Sequence, residues 1–138
     1  MNDQLSLFEI TESLSSEDLT TAVLSYLLQH EGNDLHRAAF MRTIIGTSQS
    51  SDEVVEVTCQ AQLGPSGRAD LVVITGDRRI VIENKFYASF SSPDQLPRYA
   101  AYLENQDDRL EPVLVLLTIK DRISHYLSEI PEKALGAP

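Results

Sequence analysis

Gly67-Arg68-Ala69-Asp70-Leu71-Val72-Val73-Ile74-Thr75-Gly76-Asp77-Arg78-Arg79-Ile80-Val81-Ile82-Glu83-Asn84-Lys85 decides how the rest of this chain is read. Two apolar runs flank Gly76-Asp77, a dipeptide suited to a tight hairpin turn. If Thr75 faces Arg78, then Ile74 faces Arg79, Val72 faces Val81, Asp70 faces Glu83 and Arg68 faces Lys85. Strand side chains alternate between faces, so Arg68, Asp70, Glu83 and Lys85 project from one face. The apolar residues between them occupy both faces, as in a buried central strand pair.

Directly opposed side chains have Cβ atoms roughly 4.5–5.5 Å apart, where like charges destabilise. Two carboxylates at the end of a buried hairpin therefore call for a cation. Oxygen-only donors suit a hard ion such as Mg²⁺, which is commonly held by one or two carboxylates plus waters. Lys85 shares the face and can reach a metal-bound water or a phosphate oxygen. The plainer alternative is an ion-pair network of Asp70 and Glu83 with Arg68 and Lys85. Such a network is a poor stabiliser when buried, which favours the cation. Arg68 suits either a phosphate contact or the orientation of Asp70.

The chain of 138 residues is 42% hydrophobic and 23% charged, as expected of one globular domain. It has no membrane-spanning run and no signal-peptide pattern at its N-terminus, and Cys59 is its only cysteine. These features point to the cytoplasm and away from disulfide or thiolate-metal chemistry. A net charge of −10 argues against a protein that coats nucleic acid through phosphate neutralisation. The charge is uneven: residues 1–67 carry two basic and ten acidic side chains, and residues 68–138 carry nine and eleven. The acidity sits mostly ahead of the hairpin.

Residues 1–14 lack periodicity and read as a flexible N-terminal arm. Ser15 suits a helix N-cap, followed by a stripe of Leu19, Ala22, Val23, Tyr26, Leu27 and His30. Gly32 is a stop. Asn33 or Asp34 opens a second helix with Leu35, Ala38, Ala39, Arg42 and Ile45 on one face. Gly46 to Glu53 is a polar loop. Val54 to Leu63 alternates, with Val55, Val57, Cys59, Ala61 and Leu63 on its apolar face, and reads as a strand near a sheet edge. Phe86 to Ser92 is a loop. Asp94 caps a helix that tolerates Pro97 in its first turn, with Leu96, Tyr99, Ala100 and Leu103 buried and Gln95, Tyr99 and Tyr102 nearly in line. Val113 to Thr118 is an apolar run typical of a buried strand, reached by a crossover connection. A short helix is expected around Ile123–Glu129. Residues 15–119 thus form the core and 120–138 a C-terminal extension, so the chain reads as a truncated form or a minimal core. Arg78 and Arg79 read as a solvated turn tip. Cys59 reads as a small core residue and Tyr102 as packing. His30, His36 and His125 show no metal-ligand spacing.

The expected architecture is α/β: a mixed central sheet, built from a three-stranded meander plus a crossover strand, flanked by helices. With Asp70 on the second strand, Glu83-Asn84-Lys85 on the third, and Gln95-Leu96-Pro97-Arg98-Tyr99 after it, the chain resembles the PD-(D/E)XK nuclease superfamily, the restriction-endonuclease-like fold. The first motif is Ala69-Asp70 in place of Pro-Asp. The resemblance implies metal-dependent hydrolysis of phosphodiester bonds by an endo- or exonuclease, with DNA as the expected substrate. Asp70 and Glu83 would hold Mg²⁺ or Mn²⁺ with the Asn84 main-chain carbonyl, and Glu17 would supply a further acidic group. Lys85 would position or activate water, and Gln95 and Tyr99 would line the substrate. Glu17 also suits a plain first-turn acid, and Gln95 with Tyr99 a plain helix-surface pair. A double-strand cut by one-site subunits calls for a homodimer. The rival function is a binding module for nucleic acid or protein that keeps the fold without the chemistry.

Overall fold

The computed structural model describes residues 16–29, 34–45, 54–86, 90, 94–118 and 120–129. The expected arm, the Ser15 cap, Gly32, the polar loop at 46–53, most of the loop after Phe86 and the last nine residues lie outside them.

The described elements are α1 (Ser16–Gln29), α2 (Asp34–Phe40), a π-helical turn (Met41–Ile45), β1 (Val54–Gln62), β2 (Arg68–Thr75), β3 (Arg78–Asn84), α3 (Gln95–Glu104), β4 (Glu111–Leu117) and α4 (Ile123–Glu129). One sheet runs in the order β1-β2-β3-β4. Its first two pairings are antiparallel and the third is parallel. The expected mixed sheet of a meander plus a crossover strand is therefore present, with β1 at an edge as its polar face suggested. The opposite edge is β4, whose apolar side chains are half-buried, less than its sequence led one to expect.

Val72 pairs with Val81 and Ile74 with Arg79, the register expected of a Gly76-Asp77 turn. Thr75 clamps that turn: its hydroxyl accepts the Arg78 N–H at 3.0 Å and donates to the Asp77 carboxylate at 3.1 Å. Leu71, Val73, Ile80, Val81 and Ile82 are fully buried, and Val72 nearly so. Each such side chain contributes about 1.5–3 kcal/mol. Together they outweigh the cost of holding two carboxylates at the end of the hairpin.

The sheet is covered on both faces. On one, α3 places Leu96, Tyr99 and Leu103 against Ala61, Leu63, Ala69, Val72 and Val81. On the other, Leu24 and Leu28 of α1 and Phe40 and Met41 meet Leu71, Val73, Ile80 and Ile82. Pro97 is the third residue of α3, where its missing N–H costs no helical bond. Asp94 stands at the cap position without a side-chain cap bond, its carboxylate 3.5 Å from Arg98.

Several expected faces differ. On α1 the buried positions are Thr21, Ser25 and Leu28, and Tyr26 is half exposed. Thr21 meets Asn84 of the sheet, Ser25 accepts the Gln29 amide within the helix, and Leu24 and Leu28 pack on the core. Leu35 is 85% exposed while Met41 is fully buried, so the second helix turns its Phe40–Met41 end, not Leu35, to the core. Strict alternation in β1 also fails. Val57 joins the α1-side core, Ala61 and Leu63 join the α3-side core, and Cys59 is exposed. Gln60 lies between them with φ +49°, a left-handed conformation that re-aims the following side chains. The two turn arginines are not a solvated tip. Arg78 pairs with Glu111 at 3.2 Å, and Arg79 binds Asp108, Gln106 and Tyr102.

Candidate active site

The two central strands part company at one end. Pairing between β2 and β3 ends at Leu71 and Ile82. Beyond it β2 stays with β1, through Ala69 with Ala61 and Arg68 with Gln62. β3 stays with β4, through Glu83 with Leu116 and Asn84 with Leu117, and the Lys85 N–H donates to the Leu117 carbonyl at 2.9 Å. The sheet therefore forks. The expected pairings of Asp70 with Glu83 and of Arg68 with Lys85 are not made, because their strands have separated. Asp70 sits in the fork, and its carboxylate accepts the Asn84 main-chain N–H at 2.7 Å, a bond the ladder no longer supplies.

Glu83 projects toward α3. Its Oε1 takes the Gln95 side-chain amide at 3.1 Å and faces the Lys85 ammonium at 3.3 Å. Its Oε2 is buried and has no hydrogen-bond partner among the described residues. Gln95 also donates to the Tyr99 hydroxyl at 3.0 Å, and that hydroxyl donates to the Arg68 carbonyl at 2.7 Å. Gln95 and Tyr99 are buried, so the four-residue spacing read from the sequence is an inward-facing relay and not a surface pair. Gly67 precedes β2 in a conformation that favours glycine. Its φ is +113°, and a Cβ there would lie 3.5 Å from the Tyr99 ring.

The other side of the fork is held by α1. The Asn84 side-chain amide donates to the Thr21 hydroxyl at 2.6 Å, which donates to the Glu17 carbonyl at 3.1 Å. The Glu17 carboxylate accepts the Phe86 N–H at 2.8 Å. Glu17 thus reaches the site strand, and its charge acts on Asp70. Thr21 was not singled out in the sequence. Its signal is its place one turn after Glu17, hidden because the buried face of α1 carries Thr21 and Ser25 where apolar residues are normally sought.

Lys85 is buried, and its ammonium lies 5.9 Å from the centre of the Phe90 ring. Phe90 meets the fully buried Tyr126 of α4 edge-on at 5.6 Å. Arg68 is exposed, and its side chain makes no hydrogen bond or ion pair among the described residues.

Burial, followed by the charge of Asp70, pushes the Glu83 carboxyl up to about 7, against a smaller downward pull from Lys85. Burial likewise raises Asp70, partly offset by the Asn84 N–H and Lys85. Burial also raises the Tyr99 phenol. Both carboxyls resist ionisation chiefly because they are buried, and the nearby positive charge only partly offsets this. Their oxygens, with the orphaned Glu83 Oε2, fit a hard divalent cation. Among the described residues no three Asp, Glu, His or Cys side chains form a self-sufficient metal cluster. Any ion here would rely on the two carboxylates together with main-chain oxygen and water.

A family model described as the PD-(D/E)XK nuclease superfamily matches residues 6–134. No curated protein and no solved structure matches the chain significantly.

Proposed function

Because the chain belongs to the PD-(D/E)XK nuclease superfamily, whose nucleases typically use divalent metals, we propose that it hydrolyses phosphodiester bonds in DNA with Mg²⁺ or Mn²⁺. The observation that carries this reading is the fork at Leu71–Ile82, where Asp70, Glu83 and Lys85 meet and one buried oxygen of Glu83 lacks a partner.

Asp70 and Glu83 would hold the ion, with the Asn84 main-chain carbonyl as a third donor and Glu17 as a further acidic group nearby. A bound divalent ion supplies charge neutralisation at the scissile phosphate and lowers the pKa of a coordinated water. Gln95 keeps Glu83 Oε1 occupied, so Oε2 is the oxygen left for the cation. Lys85, two residues from Glu83 on the same face, offers a positive charge to the phosphoryl oxygens as negative charge builds there. Tyr99 fixes the start of β2 through the Arg68 carbonyl, leaving the exposed Arg68 guanidinium for a substrate phosphate. The net charge of −10 makes DNA binding dependent on such local contacts and on the ion.

The test is incubation of the purified chain with duplex DNA, single-stranded DNA and RNA in Mg²⁺ or Mn²⁺, beside Lys85→Ala. Cleavage of DNA that needs the ion and Lys85 supports the reading. No cleavage of any substrate, together with no ion binding by calorimetry, would overturn it. DNA binding without cleavage would instead support a catalytically silent binding module.

A further inference from the structure

The residues between Glu83 and Phe86 are gripped from two sides in alternation. Glu83 and Lys85 face α3 and each other. Asn84 and Phe86 are held from α1, the first by its side chain and the second by its N–H. Asn84 therefore has two separate duties: its main-chain N–H holds the Asp70 carboxylate, and its side chain reaches Thr21. Asn84 is 1% exposed and Thr21 4% exposed, so neither bond is exchanged freely with water.

We propose that Thr21 and the Asn84 side chain are positioning residues that lock the fork: through them α1 sets where the Asp70 carboxylate and the Asn84–Phe86 main chain lie. The inference deepens the nuclease reading and rests on it for its catalytic consequence, though not for its geometry. A threonine inside a helix serves stability poorly. Here its hydroxyl joins two elements 63 residues apart in sequence. It receives a proton from the Asn84 amide and gives its own to the Glu17 carbonyl. Both are used, and the same turn of helix presents the Glu17 carboxylate to Phe86. Loss of the hydroxyl would leave the buried Asn84 amide unpaired, and the strand segment would relax away from α1. Because the ladder between β2 and β3 has already ended, strand bonds hold this segment from the β4 side alone, and none from β2 would fix Asn84 against Asp70.

The prediction is read first in the metal-free protein by native-state hydrogen exchange. Thr21→Val, nearly isosteric, should speed exchange at the Asn84 and Phe86 amides by about tenfold, the scale of one net hydrogen bond, while Ile80, Val81 and Ile82 stay as protected as before. Thr21→Ser, which keeps the hydroxyl, should restore protection. Ser25→Ala, which removes a bond internal to α1, should not affect Asn84 or Phe86. In calorimetry with Mn²⁺ alone, Thr21→Val should bind at least several-fold more weakly than wild type, and in cleavage assays it should lose kcat with KM for DNA little changed. Unchanged exchange at Asn84 and Phe86, or an equal rise across the sheet, would overturn the proposal. A wild type that neither binds the ion nor cuts nucleic acid would sink the nuclease reading, while selective loosening in Thr21→Val would still uphold the positioning role.

Discussion

The Asn84 main-chain N–H donates to the Asp70 carboxylate over 2.7 Å at the point where β2 and β3 stop pairing. A side chain has taken over from a backbone carbonyl, so the acid most exposed to repulsion from Glu83 is also the one that closes the fork. Asp70→Asn keeps an oxygen able to accept that bond while removing the charge. Metal-free stability in urea should rise by about 1 kcal/mol. Ion binding and cleavage should both be lost. Equal stability of the two proteins would show that the carboxyl pair is not strained.

Lys85→Ala should lower cleavage by about 100-fold or more, the scale for removing a charge-stabilising donor. Its cost in stability should stay near 1 kcal/mol, because the Glu83 carboxyl, already raised to about 7, can take a proton when its partner is removed. A large fall in melting temperature with cleavage retained would identify a structural ion pair instead.

Metal-free stability should decline as pH rises from about 4.5 to 8. The folded Glu83 carboxyl is raised from 4.5 to about 7, so over that window the native state holds a proton that the unfolded chain has released, and stability falls with pH. The shift corresponds to an upper bound of about 3 kcal/mol; raised Asp70 adds in the same direction. Glu83→Gln should flatten the profile, and saturating Mg²⁺ should reverse its sign, since ion binding favours the ionised carboxyls. Chemical denaturation across pH, with chelator and with Mg²⁺, reads both effects.

Arg68→Ala should leave folding stability within about 0.5 kcal/mol, as expected for an exposed side chain. The dependence of log affinity for DNA on log salt should become shallower by about one unit. An unchanged slope would remove Arg68 from the substrate contacts.

Gly67→Ala should destabilise by about 1–2 kcal/mol. The cause is backbone strain at φ +113° and not a clash, because the added Cβ would meet the Tyr99 ring at an ordinary 3.5 Å. A cleavage defect larger than the stability loss would show that the Tyr99–Arg68 bond shapes the site.

The hairpin register from the turn out to Leu71 and Ile82, the mixed sheet and the family were legible in the linear chain, because a two-residue turn and a period of two leave one way to align Val72 with Val81; the outer pairs, Asp70 with Glu83 and Arg68 with Lys85, were not. The Gln95–Tyr99 pair was legible for the same kind of reason: a spacing of four on a helix is a contact. The face of α1 was not. Periodicity counts apolar residues, and the residues that turn inward there are Thr21 and Ser25: Thr21 is met by the Asn84 amide from the far strand, and Ser25 accepts the Gln29 amide within the helix. Cys59 keeps its place opposite Leu71 yet stays exposed, because what covers an edge strand is not signalled by composition. Arg78 and Arg79 looked solvated because Asp108 and Glu111, which bind them, come from the far end of the crossover.

Local periodicity and turn chemistry were thus enough to bring Asp70, Glu83 and Lys85 to one end of one hairpin. The opening of β2 from β3 came from tertiary structure alone, as did the unequal treatment of the two Glu83 oxygens and the attachment of α1 through Thr21. Each depends on which strand or helix competes for a given hydrogen bond, and that competition is decided only when elements distant in sequence pack together.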